Sequence, residues 1–391
     1  MKNFNYHQST KIRFGKGRIN ELAEVVSEYG NKVLLVSTPA AIPALQTQYD
    51  KVIKILTDKG IEVAHYDGVI PNPTVGTISN GAKMARDFGA EVIIGLGGGS
   101  SMDAAKAISV EATHEGTSWD YLFYKTPQPD PSKLIPVIAV STTSGTGSQV
   151  TQVAVITNPA VRDKSALYNN ILYPQVCIID PELMISVPKF VTATTGFDVL
   201  CHAFESTINP GTGAYVNLLA WEAISIVVEY LPKLLNDLSN PEAREKMAYA
   251  DLLAGLCIAN AGVTLPHGMG MAIGGMYPHV AHGEALAIVY PACVEFTWES
   301  AIPQFSKLAR ALNPELDSAS DKEAASKCTD KLVQFLKEIE LYKTLKDVNM
   351  PESEIGALAI QCMVLPDYKG NPRVATPEEM IELVRQSYQH I

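Results

Sequence analysis

The stretch GLGGGSSMDAAKAI, which runs from Gly95 to Ile108, decides the fold; it follows the apolar run EVII that ends at Ile94. The apolar run predicts a buried strand and the alanine-rich segment predicts a helix, so small residues alone form the turn between them. Such a turn directs backbone N–H groups and the positive end of the helix dipole towards one point, which suits a phosphate. A tight turn that needs glycine only for its backbone angles would give the same pattern, and the spacing is not a complete GxGxxG. The candidates for binding a pyrophosphate are Gly97, Gly98, Gly99 and Ser100.

Strand and helix patterns alternate on both sides of this turn. Short β-branched runs are separated by helical segments from residue 31 to about residue 180: KVLLVS, IEVAHYD, EVIIGLG, LIPVIAV and QVCIID. This alternation predicts a parallel sheet covered by helices. After DPELMISVP the strand patterns stop and long helical periodicities begin, with Pro188 between the two patterns. We predict two domains: an α/β dinucleotide-binding domain over residues 1–187 and an all-helical domain over residues 188–391.

Composition excludes several classes of function. The 391 residues carry a net charge of -11, which argues against nucleic acid as a partner. No apolar run reaches the about 18 uncharged residues that span a bilayer, and the N-terminus lacks the apolar segment of a signal peptide. The six cysteines include no CxxC pair, which suits free thiols in a reducing compartment. We expect a cytoplasmic protein that acts on small molecules, with no membrane or nucleic-acid partner.

Two further polar loops are predicted to lie beside the glycine turn. PNPT (Pro71 to Thr74) and STTSGTGSQVT (Ser141 to Thr151) each follow a predicted strand. The carboxyl ends of parallel strands meet at one edge of a sheet, so hydroxyl and amide groups from both loops would line a nucleotide there. Alone, the Ser/Thr-rich stretch would be an ordinary polar loop. Three such loops at one edge favour a nucleotide site.

The helical half contains a candidate metal site. In TTGFDVLCHAFES, Asp198 and His202 are four residues apart and leave the same face of a helix, although an isolated pair of this kind is usually a surface pair. LPHGMGMAIGGMYPHVAHGEA adds His267, His279 and His282, three of the eight histidines within 16 residues. One carboxylate and three imidazoles would hold a divalent metal, and both iron(II) and zinc fit. A thiol ligand is also available on this helix, but we expect Cys201 to be a small buried apolar residue.

The order of these motifs resembles that of the iron-containing alcohol dehydrogenase family, the group III metal-dependent type. The resemblance runs through FGKG at Phe14, PNPT, GGGSSMDAAKA, TTSGTGSQVT, DPEL, TGFDVLCHA, PHGMG and AHGEA to GNPR at Gly370. It implies an N-terminal dinucleotide-binding domain, a helical C-terminal domain and a metal site in the cleft between them. Because the family's last ligand directly precedes a glycine, the resemblance favours His282 over His279. The implied metal ligands are Asp198, His202, His267 and His282.

The same resemblance implies a reaction and a cofactor. A metal would lower the pKa of an alcohol oxygen, and a hydride would pass between the alcohol carbon and a nicotinamide ring. The implied substrate is a small alcohol, diol or aldehyde. NAD-preferring relatives have an Asp after the first strand, where Thr38 stands here, so we expect NADP(H) to be accepted and preferred to NAD(H). Asp103 is expected to support the glycine turn, and the other implied cofactor contacts are Asn72, Thr142, Thr143, Thr151 and Lys164.

Some features depart from the family pattern. Many relatives have a second histidine at the position of Met271, so the methionine excludes a direct histidine relay at that point. A glutamate that is common in the family is replaced by Gln149. The stretch from His267 to His282 is one residue longer than in several relatives. Two alternatives remain: a dehydroquinate-synthase-like lyase, which would need a basic pocket, and a non-catalytic metal- or nucleotide-binding protein. We also expect the segment TKIRFGKG to form an edge hairpin through which a homodimer or larger homo-oligomer pairs.

Overall fold

The computed structural model describes residues 2–389. The chain divides into two compact units. The first, called the α/β unit, comprises His7–Pro188 and Leu238–Ala248. The second, called the helical unit, comprises Lys189–Asp237 and, of the described residues, 2–6 and 249–389.

The α/β unit is built on a parallel sheet, as the sequence predicts. Six strands lie in the order β1-β8-β5-β4-β2-β3, and every neighbouring pair is parallel. The remaining two, β6 and β7, pair as an antiparallel hairpin. The bounds are β1 Lys11–Phe14, β2 Lys32–Val36, β3 Glu62–Tyr66, β4 Val92–Gly97, β5 Val137–Ser141, β6 Val153–Asn158, β7 Asp163–Tyr168 and β8 Val176–Ile179.

Helices cover both faces of the sheet. Because side chains alternate along a strand, Val33 and Leu35 of β2 pack into one hydrophobic core while Leu34 and Val36 pack into another. Strand β4 is buried along its whole length, which explains its continuous apolar sequence. The helices are α1 Leu22–Ser27, α2 Pro43–Thr57, α3 Val75–Phe88 and α4 Gly99–Thr113.

The helical unit contains the long periodic segments. Its main core joins α8, α9, α13 and α14 through buried residues such as Ile273, Ile288, Leu358 and Leu383. Among the described residues no single helix is long and apolar enough to cross a membrane; α7 and α8 meet the criterion only together, with a bend of 101° between them. The helices are α5 Lys189–Ile208, α6 Ala214–Asn236, α7 Pro241–Ala261, α8 Leu265–Met276, α9 His282–Thr297, α10 Ile302–Leu312, α11 Asp321–Ser326, α12 Cys328–Glu338, α13 Ile355–Gln361 and α14 Pro377–Gln389.

The structure corrects the sequence predictions in three places. TKIRFGKG does not form a hairpin: only β1 is a strand, and it pairs in parallel with β8 at the sheet edge. Gly15 and Gly17 have φ angles of 132° and 73°, and the chain turns there into a short 3₁₀ helix instead of a returning strand. The β6–β7 hairpin was not predicted. Within the predicted helical half, the periodic segment KEAASKCTDKLVQFLKEI forms two helices, α11 and α12, which are separated at Lys327.

Candidate functional site

Four side chains from three helices converge in the helical unit. Helix α5 supplies Asp198 and His202 one turn apart, α8 supplies His267 in its first turn, and α9 begins at His282. The start of α9 lies so close to α5 that a Cβ at Gly283 would sit 2.0 Å from the carbonyl oxygen of Thr194. Only glycine fits there, which gives the HG pair of the sequence a physical reason. We call Asp198, His202, His267 and His282 the four-residue cluster.

The cluster is compact and its first three members are buried. Oδ1 of Asp198 lies 3.5 Å from Nε2 of His202 and 3.4 Å from Nε2 of His267. Ligand atoms of Asp198, His267 and His282 all lie within 4.8 Å of one another. The rings of His202 and His267 stack at 4.6 Å, and those of His267 and His282 meet edge-on at 5.4 Å. The spacing is that of side chains around one ion.

Oδ1 of Asp198 and Nε2 of His267 lie 3.4 Å apart, and both are buried without a hydrogen-bond partner among the described residues. Burial would raise the pKa of Asp198, but His202 and His267 outweigh it and lower that pKa to about 2. A buried carboxylate oxygen and a buried imidazole nitrogen without hydrogen-bond partners are well placed to ligate one cation. The residues therefore fit a divalent metal.

Glu205 is a functional candidate that the sequence analysis missed. Its fully buried carboxylate accepts a hydrogen bond from Nδ1 of His267 (2.6 Å) through Oε1. Through Oε2 it accepts hydrogen bonds from the backbone N–H (2.7 Å) and the hydroxyl (3.1 Å) of Thr264. With Nδ1 held as the donor, Nε2 of His267 is the nitrogen left for a metal. Glu205 follows Asp198 by seven residues, so both side chains lie on the same face of α5. This spacing was the sequence signal that could have indicated Glu205.

The rejected alternatives lie outside the cluster. His279 donates from Nε2 to the carbonyl oxygen of Val348 at 3.0 Å. Cys201 is fully buried, and burial raises the pKa of its thiol well above the usual value. Met271 is also buried, on α8. The structure therefore brings together the four residues that the sequence named, with His282 and not His279 as the fourth.

The glycine turn and the Ser/Thr-rich loop are in contact in the α/β unit. Strands β4 and β5 are neighbours, with Gly97 opposite Ser141, and the N–H of Thr142 donates to the carbonyl of Gly97 at 2.9 Å. A Cβ on Gly98 would lie 2.9 Å from Oγ1 of Thr143. A Cβ on Gly99 would lie 2.7 Å from Cγ2 of Thr146. Glycine is thus needed here because the two loops touch.

The start of α4 suits an anion. Gly98 is the N-cap residue of α4 and gives no side-chain cap, and the first turn contains no acidic side chain. Ser100 lies in that first turn, half-buried. A helix start without a side-chain cap leaves backbone N–H groups for a ligand, and the helix dipole favours negative charge there. The turn therefore fits a phosphate group of a dinucleotide.

The other sequence-predicted cofactor residues also lie in the α/β unit. Lys164 of β7 donates from Nζ to Oδ1 of Asn72 at 2.8 Å, and Asn72 has a φ of 54°. Thr38 lies two residues beyond β2, and its hydroxyl is 3.1 Å from that of Tyr49. Thr151 is buried at the end of the Ser/Thr-rich loop. Thr38, Asn72 and Thr151 follow the parallel strands β2, β3 and β5, and Lys164 lies on the β6–β7 hairpin.

Comparison with known proteins gives the family. A profile described as "Iron-containing alcohol dehydrogenase" matches residues 9–181, and one described as "Fe-containing alcohol dehydrogenase family, C-terminal" matches residues 192–388. The chain belongs to the iron-containing alcohol dehydrogenase family. This membership confirms the predicted fold class and makes the chain an oxidoreductase of the alcohol dehydrogenase type.

Individual members of the family resemble the chain over nearly its whole length. The 1,3-propanediol dehydrogenase of Klebsiella pneumoniae is 32% identical over 96% of each chain. The NAD-dependent methanol dehydrogenase of Bacillus methanolicus is 30% identical over 95% of this chain and 97% of its own. An archaeal halo-thermophilic alcohol dehydrogenase from a Red Sea brine pool superposes with a TM-score of 0.93 at 34% identity, covering 99% of this chain and 100% of that one.

Proposed function

We propose that this alcohol dehydrogenase interconverts a small alcohol or diol with its carbonyl compound, using NAD(P) and one divalent iron held by Asp198, His202, His267 and His282. Zinc is the alternative metal. The observation that carries the proposal is the pair of buried atoms without hydrogen-bond partners, Oδ1 of Asp198 and Nε2 of His267. A protein that binds no metal would have no reason to keep two such atoms facing each other.

The donor set supports iron(II) or zinc in particular. Three imidazoles and one carboxylate are borderline ligands that suit these ions better than calcium or magnesium, which take oxygen ligands. Glu205 adds a second carboxylate behind His267, at 2.6 Å. Two carboxylates would balance the charge of a divalent ion, which lowers the cost of burying it.

Each of the proposed site residues then has a role in binding or orientation. The metal would polarise the substrate oxygen, and the nicotinamide would exchange a hydride with the adjacent carbon. The four-residue cluster fixes where that oxygen lies. Gly97, Gly98, Gly99 and Ser100 bind the pyrophosphate, and Asn72, Thr142, Thr143, Thr151 and Lys164 position the rest of the cofactor.

We further propose that NADP(H) is accepted and is preferred to NAD(H). The support is the neutral side chain of Thr38, whose hydroxyl contacts Tyr49 at 3.1 Å. It gives neither the charge repulsion towards a 2′-phosphate nor the charge-assisted hydrogen bonds to ribose hydroxyls that an aspartate would give.

A substrate screen tests the function. The iron-loaded protein is mixed with reduced or oxidised cofactor and with small alcohols, diols, choline and aldehydes, and the absorbance of reduced nicotinamide is followed. We include propanediol and choline because similar proteins carry the names 1,3-propanediol dehydrogenase and choline dehydrogenase. Turnover of at least one pair by the iron-loaded protein is expected. Equal turnover by a metal-free preparation would refute the proposal.

We also propose that the chain is a cytoplasmic homodimer or a larger assembly of dimers. Strand β1 lies at the edge of the six-stranded sheet, where a second copy can pair with it. All six cysteines are free and buried, which supports a reducing compartment. Light scattering at micromolar concentration is expected to give at least twice the chain mass, and a monomeric mass would refute the assembly.

A further inference from the structure

Lys106 is a fully buried lysine on α4, the helix that begins at the glycine turn. Its Nζ lies within 3.0 Å of four oxygens: the carbonyls of Ser148 (2.7 Å), Thr151 (3.0 Å) and Val153 (2.7 Å), and the hydroxyl of Ser148 (2.9 Å). These acceptors belong to the end of the Ser/Thr-rich loop and the start of β6. An ammonium group in this place satisfies three buried backbone carbonyls at once.

Asp103, one turn earlier on α4, completes the arrangement. Its Oδ1 accepts from the hydroxyl of Ser148 at 2.6 Å, and its Oδ2 accepts from the N–H of Val155 at 3.0 Å. Because that hydroxyl has a single proton, which goes to Asp103, it accepts from Lys106. Burial lowers the pKa of Lys106 to about 8, and Asp103 opposes this effect, so the lysine keeps its charge at neutral pH. The two ions thus share Ser148 as a bridge.

The loop that Lys106 holds is attached to the glycine turn at its other end as well. The N–H of Thr142 donates to the carbonyl of Gly97 at 2.9 Å. The cofactor candidates Thr142, Thr143 and Thr151 therefore lie on a segment that is fixed at one end by backbone contact and at the other by Lys106. Loss of the ammonium would free only the Thr151 end.

We propose that Lys106, bridged to Asp103 through Ser148, is a positioning residue that sets the affinity for the nicotinamide cofactor by holding the Ser/Thr-rich loop against α4. Lys106 touches neither cofactor nor substrate and acts through Ser148 and Thr151. The inference rests on the proposed function of the α/β unit as the cofactor-binding unit.

The test substitutes Lys106→Met, which keeps most of the side-chain length and removes the charge. Binding of NADH and of NADPH is titrated by nicotinamide fluorescence without alcohol, and metal content and kcat at saturating cofactor are measured in parallel. We expect the Kd of the better cofactor to rise on the order of tenfold to a hundredfold, since hydrogen bonds to a charged group are lost. Metal content and kcat should stay within about twofold, because only uniform binding is lost.

Glu111→Gln is the matched control, on the same helix. Glu111 is buried and accepts from the N–H of Ser118 at 2.7 Å, away from the Ser/Thr-rich loop. The control should leave Kd unchanged even if it lowers the unfolding temperature. An unchanged Kd in Lys106→Met, or an equal rise in Glu111→Gln, would overturn the inference.

Two milder variants keep the test decisive if Lys106→Met does not fold. Ser148→Ala and Asp103→Asn each remove part of the bridge and should raise Kd severalfold, and no rise in either would overturn the inference. If the unsubstituted protein binds neither NADH nor NADPH, the proposed function fails and this inference fails with it. If the unsubstituted protein binds and the variants bind equally well, only the inference fails.

Discussion

The four-residue cluster and the glycine turn use opposite means to prepare a binding site. In the cluster, charged and imidazole side chains from α5, α8 and α9 meet in a buried place. In the turn, the useful groups are backbone N–H donors, and the decisive feature is the lack of side chains at Gly98 and Gly99. One site is therefore destroyed by deleting atoms and the other by adding a methyl group. Because the two sites lie in different units, each can be broken while the other serves as the internal control.

The largest effect is expected from deleting a side chain of the cluster. Asp198→Ala and His202→Ala should each abolish turnover and reduce metal from about one ion per chain to a small fraction, because each variant removes one of the four proposed ligands. NADH or NADPH should still bind, since the α/β unit is untouched. Elemental analysis gives the metal content, fluorescence titration gives cofactor binding, and circular dichroism checks the fold.

His279→Ala is the control for that experiment. His279 lies close in sequence to His282, but its ring donates to the carbonyl of Val348. We expect this variant to keep its metal and its turnover. Loss of metal in His279→Ala but not in His282→Ala would show that the fourth ligand has been misassigned.

The reverse experiment adds one methyl group to the turn. In Gly99→Ala the new Cβ would meet Thr146 at 2.7 Å, so one of the two loops must shift. Overpacking of this kind costs about 1–3 kcal/mol, which corresponds to a loss of cofactor affinity of roughly fivefold to a hundredfold. Metal content should not change. Gly356→Ala, where a new Cβ has open space, is the control and should leave Kd unaltered. Equal cofactor affinity in both variants would refute the close-contact argument.

An effect of similar size, but on metal affinity, is expected from Glu205, which contacts His267 of the cluster. Glu205→Gln keeps the size of the side chain but removes the negative charge beside Nδ1 of His267. That charge orients the imidazole ring and would balance the charge of a divalent ion. Metal affinity should fall by about tenfold to a hundredfold, measured by competition with a chelator. Glu295→Gln on α9, whose carboxylate bonds only to the exposed hydroxyl of Thr329 among the contacts described, should not alter the affinity. A chelator competition curve identical to that of the unsubstituted protein would exclude a role for Glu205.

The strands and the four-residue cluster show which features of the structure the sequence predicts. The five β-branched runs correspond to β2, β3, β4, β5 and β8, because buried parallel strands have a local apolar signature. The partner of β1 was missed because β1 pairs with residues more than 160 positions away, which no local pattern encodes. The β6–β7 hairpin is a local pairing and was also missed. The four residues of the cluster were named because three histidines within 16 residues are uncommon and because the family resemblance implies these ligands. Their binding of a metal stays a prediction.

The contacts of Glu205 and Lys106 could not be predicted from the sequence in this way. Glu205 contacts Thr264 and His267, which are 59 and 62 residues away. Lys106 contacts oxygens 42 to 47 residues away. The spacing of Glu205 from Asp198 indicates its helix face but not its partners, and a single lysine on a helix has the same sequence signature whether it faces solvent or a buried partner. Only tertiary packing shows which of the two it does.

The mildest change alters the preference between two cofactors without breaking either site. The Thr38 hydroxyl lies 3.1 Å from the Tyr49 hydroxyl. In Thr38→Asp a carboxylate replaces the Thr38 hydroxyl, and the Tyr49 hydroxyl can donate a hydrogen bond to that carboxylate and hold it in position. Charge-assisted hydrogen bonds to ribose hydroxyls are worth roughly 1.5–3 kcal/mol, so the ratio of kcat/KM values should move towards NAD(H) by about one to two orders of magnitude. Thr38→Asn has nearly the size of the aspartate without its charge and should move the ratio much less. If both variants leave the ratio where it was, Thr38 does not face the ribose; if both move it equally, size and not charge decides the preference.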